Sequence, residues 1–443
     1  MKLTWEKINK TVFLTAIVLL LFRSGNFYNS FIPKPYEVLF VVVLLLTIFY
    51  ILLRNKTKSF FLSLPKKVWI AIFLLVISIL IGWCVGLYAK QIPTTFNMIL
   101  EFGTFSIGLL SLLLVAFYVK NDSRYHRWYL YALLVPVIYS VFVILHGLTP
   151  SFLLASDGNF TGFTTNVNIV SKILLIPTMF FITYALFESK NKKLKLGYIV
   201  LAILLTALLF WISSRGALLS LFFGAVFIWI VLSVQDFQWK TAISRAGIII
   251  LILILGFTLA PSIRQRVAIN RLLNSDSHQT SYVVLQHQSL FSIVKNSIHT
   301  PIHTPPATIA SSVSTPNEPA VPSETRLEIW PYYLHIILRN PFGFGPDTHM
   351  QSHFINKNGE TLSSGPHNTY LEIWLWGGIL GIVNFLYIIS YAFNRLRLSL
   401  LQKYDFIPLA LITILFSLCI AIMFDDSLSL YCFWIVLGLA LSI

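Results

Sequence analysis

The chain has 443 residues, of which 56% are hydrophobic and 11% charged, so it carries far more apolar surface than a soluble core of this size buries. That balance excludes a string of soluble domains and predicts a polytopic membrane protein. The formal net charge of +15 is dispersed among short loops with no basic soluble domain, which fits loops lying on anionic lipid and gives no reason to expect nucleic acid as a partner.

Stretches of about 20 apolar residues, the length that crosses a bilayer as a helix, recur along the chain. They fall at residues 8–22, 36–53, 68–87, 98–119, 128–148, 169–187, 196–212, 216–234, 247–260, 370–393, 407–424 and 428–443, and predict an all-α fold with about twelve transmembrane helices. The first is followed by "LLLFRSGNF", which offers no small-residue cleavage site, and is expected to be an uncleaved anchor. Cys84, Cys419 and Cys432 all lie in apolar stretches, so no disulfide framework is expected.

Lys and Arg gather in alternate loops: "RNKTKSFFLSLPKK", "KNDSRYHR", "ESKNKKLK", "VQDFQWKTAISR" and "NRLRLSLLQKYDF". With the N-terminal arm these hold 20 of the 32 basic residues, against 11 on the opposite side, 7 of which fall in one long loop. The positive-inside rule makes the basic loops cytoplasmic, with both termini on that side. Three regions follow: nine membrane helices in residues 1–260, a large outer loop in 261–367, and three helices in 368–443.

Residues 196–234 would be about 60 Å long as one helix at about 1.5 Å per residue, twice the hydrocarbon thickness of about 30 Å. The chain must turn within "SSRG", which puts Arg215 at the outer face without an acidic neighbour. Such an arginine either snorkels to lipid phosphates or clamps an anion through paired hydrogen bonds. Lys172, a turn into the helix of "NVNIVSKILLIP", offers the same two readings.

The outer loop carries two stretches of helical spacing, 281–298 and 325–340, joined by the Pro-, Ser- and Thr-rich "HTPIHTPPATIASSVSTPNEP", which reads as a mobile linker. Arg326 opens the second, after the candidate cap Ser323, and either pairs with Glu324 or Glu328 on the surface or joins Arg215 around a diphosphate; Pro331 is expected to kink that helix or mark its start. Eight of the ten histidines lie in this loop, but neither the His299/His303 nor the His349/His353 pair has a Cys or HExxH context, so no metal or other cofactor is expected. His367 differs: it follows "SSGP" at the mouth of a membrane helix whose first turns hold Asn368 and Glu372. An imidazole there is either a solvated helix-start residue or a general base near neutral pH that Glu372 would orient.

Three elements in order resemble the O-antigen ligase and polymerase superfamily of bacterial envelope glycan assembly. "RGALL" fits an Arg-x3-Leu element at Arg215 and Leu219. "TRLEIWPYYLHIILRNPFGFGPD" looks like the loop helix with a second essential arginine, followed by a Gly-Phe-Gly turn. His367-Asn368, nine residues, then Gly378 and Gly381 fits His-Asn-x9-Gly-x-x-Gly, except that Ile382 stands where ligases often carry Thr. The resemblance implies a fold like that of type C membrane glycosyltransferases. It implies an enzyme of EC class 2.4 in the bacterial inner (plasma) membrane, with its active site facing the periplasm and no metal. The donor would be an undecaprenyl-diphosphate-linked glycan and the acceptor a lipid A core oligosaccharide. Arg215, Arg326 and Lys172 would hold the diphosphate, His367 would be the general base of an inverting transfer, and Glu372 and Asp425 would be supporting residues. A polymerase that extends lipid-linked glycan, or a transporter or flippase that moves it, remains open as an alternative.

Overall fold

The structure, a computed structural model, describes residues 11, 14–15, 35–54, 56–89, 96–121, 124–135, 167–187, 191–236, 238–274, 326–346, 353–355, 361–363, 365–402, 405–424 and 430–443. In chain order the helices are α1 (Pro35–Leu53), the short α2 (Thr57–Phe61), α3 (Lys66–Ala89), α4 (Phe96–Asn121), α5 (Arg124–Leu133), α6 (Val167–Phe187), α7 (Lys192–Ile212), α8 (Arg215–Asp236) and α9 (Trp239–Asn274). After α10 (Arg326–Arg339) comes an antiparallel ribbon of β1 (His353–Ile355) and β2 (Thr361–Ser363), with His353 opposite Ser363. The chain then returns to helix in α11 (Thr369–Gln402), α12 (Phe406–Ala421) with a 3-10 turn at Ile422–Phe424, and α13 (Tyr431–Ser442).

Among the described residues eight helices are long and apolar enough to cross a membrane, which makes this a multi-pass membrane protein. The expected stretch at 36–53 corresponds to α1 and that at 428–443 to the 12-residue α13. Most of the stretch at 8–22, the second half of that at 128–148, the loop stretch at 281–298 and the Pro-rich linker lie outside the described residues. Where backbone is surrounded by hydrocarbon, each N–H and C=O must be satisfied within the chain, which is why near-uniformly apolar sequence folds as helix. Large side chains such as Leu45, Phe73, Ile254 and Phe257 stay exposed on the outside of the bundle, as expected for helices bathed in lipid.

The core has two neighbourhoods. In one, α11 packs along α3 and α13 along α4, and Phe105, Phe385 and Trp434 interlock there with ring centroids about 6 Å apart. In the other, α6, α7, α8 and α12 pack together, and α9 lies chiefly on α7. Two helices run through a proline. The outer loop was expected to begin at Pro261; the candidate membrane span ends at Ser262, and α9 itself continues through that proline to Asn274. A proline removes one hydrogen bond but leaves helical φ available, so it does not oblige the helix to stop. Pro331 likewise lies within α10 rather than at its start.

The last long helix is not continuous. Gly378 has φ +63 and ψ −161, which breaks α11 where the sequence shows only an apolar run. The segment after α10 fills the break: Phe344 N–H donates to Leu375 O at 2.8 Å, Gly345 N–H to Trp376 O at 2.9 Å, and Ile379 N–H to Pro341 O at 2.9 Å. A side chain on Gly378 would run into the backbone of Pro341 and Phe342, and Gly343, at φ +76, faces the Gly378 nitrogen as closely. Gly378→Ala should therefore cost about 1–3 kcal/mol in thermal unfolding of the detergent-purified protein, through backbone strain and a lost turn. Gly247→Ala, whose new methyl would have no atom within 4 Å, should be neutral or gain up to about 1 kcal/mol from helix propensity.

Candidate functional site

The turn expected at "SSRG" is tight. α7 ends at Ile212, Ser213 takes a left-handed conformation with φ +57, and Arg215 is already the first residue of α8, its side chain exposed. Ser214 is buried and its Oγ donates to Asn168 Oδ1 at 3.0 Å, which ties the start of α8 to the start of α6. One turn along α6, Lys172 is only 2% exposed. It is enclosed by helices and lies within electrostatic reach of Cys432 at the start of α13, so it is not snorkelling to lipid.

Next to Arg215, Gly216 abuts Phe424 at the end of the 3-10 turn: a methyl on this glycine would lie 2.7 Å from Phe424 Cβ. Phe424 also faces Trp330 of α10 at a ring-centroid distance of 6.2 Å. The indole nitrogen of Trp330 donates to Pro366 O at 3.0 Å, directly before His367. The contacts run from Asn168 to Ser214, from Gly216 to Phe424 and from Phe424 through Trp330 to Pro366, and gather the starts of α6, α8, α10 and α11, which carry Lys172, Arg215, Arg326 and the neighbouring His367. Each helix start contributes about half a positive charge from unpaired backbone N–H groups, so this is a favourable place for an anion.

Arg326 is the first residue of α10, which brings it onto the element that Trp330 anchors. His367 is half-buried with φ +45. Among the described residues the non-glycine positions with positive φ are Ser213 and His367, each two residues ahead of a helix at this cluster. A left-handed residue with a β-carbon costs about 1–2 kcal/mol, and strain of this kind concentrates where geometry serves function. Glu372 is half-buried on the first turn of α11, its N–H bonded to Asn368 O at 2.9 Å. Asp425 lies outside the described residues, next in the chain after Phe424. Of the loop histidines, His335 is exposed, while 278, 287, 299, 303 and 349 lie outside the described residues, and no group of metal-ligating side chains forms among the residues described.

The sequence reading gave no task to Asn368, Trp330, Ser214 or Asn168. Asn368 is the N-cap of α11: its Oδ1 accepts from Tyr370 N–H at 3.0 Å and Leu371 N–H at 3.2 Å. An Asn immediately before an apolar run is a helix-start signature that would have found it. Tyr370 fastens the same turn to α12 by donating from its hydroxyl to Cys419 O at 2.9 Å. Asn368→Ala should lose about 0.5–2 kcal/mol of stability and Asn368→Asp much less, since a carboxylate still accepts from the first turn. Thermal unfolding of the two variants side by side checks this.

Residues 200–386 match the model of a family described as O-antigen ligase. The matched stretch includes Arg215, Arg326, His367, Glu372, Gly378 and Gly381, whereas Lys172 and Asp425 fall outside it. No curated protein matches the chain. Members of the family are membrane glycosyltransferase-like enzymes. Over residues 200–386, then, the chain is similar to the O-antigen ligase family, which supports its kinship with the O-antigen ligase-like superfamily and a function of the ligase or polymerase type.

Proposed function

We propose that the protein is an O-antigen ligase-type glycosyltransferase of the bacterial inner membrane. It moves a glycan from undecaprenyl diphosphate to a hydroxyl of lipid A core oligosaccharide at the periplasmic face, with inversion and without a metal. The reading is carried by one observation: direct contacts gather the helix starts that bear Arg215, Lys172, Arg326 and His367. Arg215 and Arg326 grip the diphosphate with guanidinium forks, and Lys172 adds charge from the interior. Four helix N-termini support the same charge as it grows on the leaving group.

His367 accepts the proton of the acceptor hydroxyl as its oxygen attacks the anomeric carbon. The bond from that carbon to the diphosphate oxygen breaks, and undecaprenyl diphosphate leaves with the electron pair. One displacement inverts the centre without a covalent intermediate. Glu372 is assigned to orienting the imidazole, and Asp425 to holding an arginine. In this reading the large region between α9 and α11 is periplasmic. The second reading is a polymerase, favoured by Ile382 in place of the threonine that ligases often carry.

The decisive assay combines purified protein, a lipid-diphosphate glycan and lipid A core, with and without chelator. Glycosylated core together with free undecaprenyl diphosphate, in amounts the chelator leaves unchanged, is the expected result. Longer lipid-linked glycan without core transfer would establish a polymerase instead, and translocation without a new glycosidic bond would remove both readings. His367→Ala should abolish turnover and keep most donor affinity, because a base acts chiefly in the transition state; full activity would end its assignment as base. Arg215→Ala and Arg326→Ala should each weaken donor binding as well as rate, so unchanged donor affinity in both would count against the diphosphate clamp.

A further inference from the structure

The end of the bundle remote from His367 collects positive charge without its opposite. The turn between α1 and α3, "RNKTKSFFLSLPKK", exposes Arg54, Lys56, Lys58, Lys66 and Lys67 and contains no acidic residue. Lys66 and Lys67 open α3, whose first turn also lacks an acid, so their charges add to the positive end of that helix's dipole. The turn is nevertheless fixed in place. Phe60 sits between Trp69 and Phe117, with ring centroids 5.5 and 5.6 Å away. Trp69 Nε1 donates to Phe61 O at 2.8 Å, and Ser63 Oγ donates to Phe60 O at 2.6 Å. Beside the lysines this leaves the apolar side chains of Phe61 and Leu62 more than half exposed, at 56% and 63%.

Arg395 of α11 comes to the same end. The two helices run antiparallel, since Gly82 abuts Trp376 and Gly381 abuts Ser78. Arg395 stands 14 residues after Gly381, and Leu64 stands 14 before Ser78, so the guanidinium-bearing residue is level with the turn into α3. Buried Val68 and Ile72 on α3, with Ala392 and Leu396 on α11, carry the packing that far. The Arg395 side chain is half-buried, and its Nε is sealed from solvent with no acceptor among the described residues. A guanidinium does not shed its proton, so a sealed N–H without an acceptor is a standing cost that a bound anion removes.

We propose that Arg395 and the turn from Arg54 to Lys67 bind the headgroup of an anionic phospholipid in the leaflet at this end. Phosphate oxygens accept from the guanidinium and from the lysine ammonium groups, and an acyl chain lies on Phe61 and Leu62. Those two side chains decide for a lipid over a free phosphate, because a soluble anion would leave their apolar surface uncovered. By the positive-inside rule this is the cytoplasmic leaflet, whose anionic lipid attracts basic segments. The surface lies across the membrane from the cluster of helix starts and does not depend on the transferase reading.

The test is native mass spectrometry of the delipidated full-length protein in detergent, titrated with phosphatidylglycerol, phosphatidylethanolamine or inorganic phosphate. Phosphatidylglycerol should stay bound where phosphatidylethanolamine is lost. Arg395→Gln and the double exchange Lys66→Gln/Lys67→Gln, each checked for folding by thermal unfolding, should weaken that binding about ten-fold, the loss of a charge-assisted contact. Should Arg395→Gln fail to fold, the exposed lysine pair decides alone. Phe61→Ser/Leu62→Ser should weaken phosphatidylglycerol about as much, through lost apolar contact. Lys192→Gln/Lys193→Gln removes two exposed cations at the start of α7, at the same end of the bundle, and should leave binding within about two-fold. Equal retention of the two lipids, unchanged binding in the Lys66/Lys67 variant, an equal loss in the Lys192/Lys193 variant, or displacement of the lipid by inorganic phosphate at equal concentration overturns the proposal. Glycosyl transfer enters none of these readouts, so a protein that forms no glycosidic bond would sink the transferase reading and leave the lipid site standing.

Discussion

The cluster of helix starts depends on a helix that is broken and then mended by a different part of the chain. At Gly378 the backbone of α11 leaves helical geometry, which would strand carbonyl and amide groups inside the bundle. Unpaired groups in that environment cost several kcal/mol each, so a bare break would not survive. The segment from Pro341 to Gly345 supplies the missing partners through Phe344, Gly345 and Pro341. It also fixes α10 against α11, and from there Trp330 reaches the residue before His367. The positions of the histidine and of the helix carrying Arg326 therefore share one backbone junction.

Much of the scaffold was legible because hydropathy has one dominant cause: lipid exposes apolar residues on every side, and helix is the local solution. The reversal near Ser213 followed from length alone, and α7 and α8 are separated there by two residues. The continuation of α9 past Pro261 was not legible, since a proline's lost hydrogen bond says nothing about whether φ on either side remains helical. Nor was the break in α11. A glycine within an apolar run serves equally for close packing or for a positive φ, and what decides is a partner segment some thirty residues earlier.

The same contrast holds at the site. Spacing singled out Arg215, Arg326 and His367, but it could not say that Lys172 would be sealed inside the bundle rather than reach for lipid. It also missed the residues that hold the cluster in shape. Ser214, Asn168, Trp330 and Asn368 have side chains that act on neighbouring backbone or on each other, and their importance emerges only when distant segments meet. Within the cluster, left-handed Ser213 and His367 mark where stability has been surrendered for geometry.

The junction at Gly378 also says something about how this sequence can drift. The three bonds across it, Phe344 N–H to Leu375 O, Gly345 N–H to Trp376 O and Ile379 N–H to Pro341 O, join main-chain atoms, so this pairing does not depend on which side chains stand at those positions. Exchanging them alters packing but leaves the pairing pattern intact. The glycines have no such latitude, because a β-carbon at Gly343 or Gly378 collides with the partner backbone itself. A family built on this junction would keep its identity as a rhythm of glycines while the residues between them diverged, and two members with little else in common would still close the same helix.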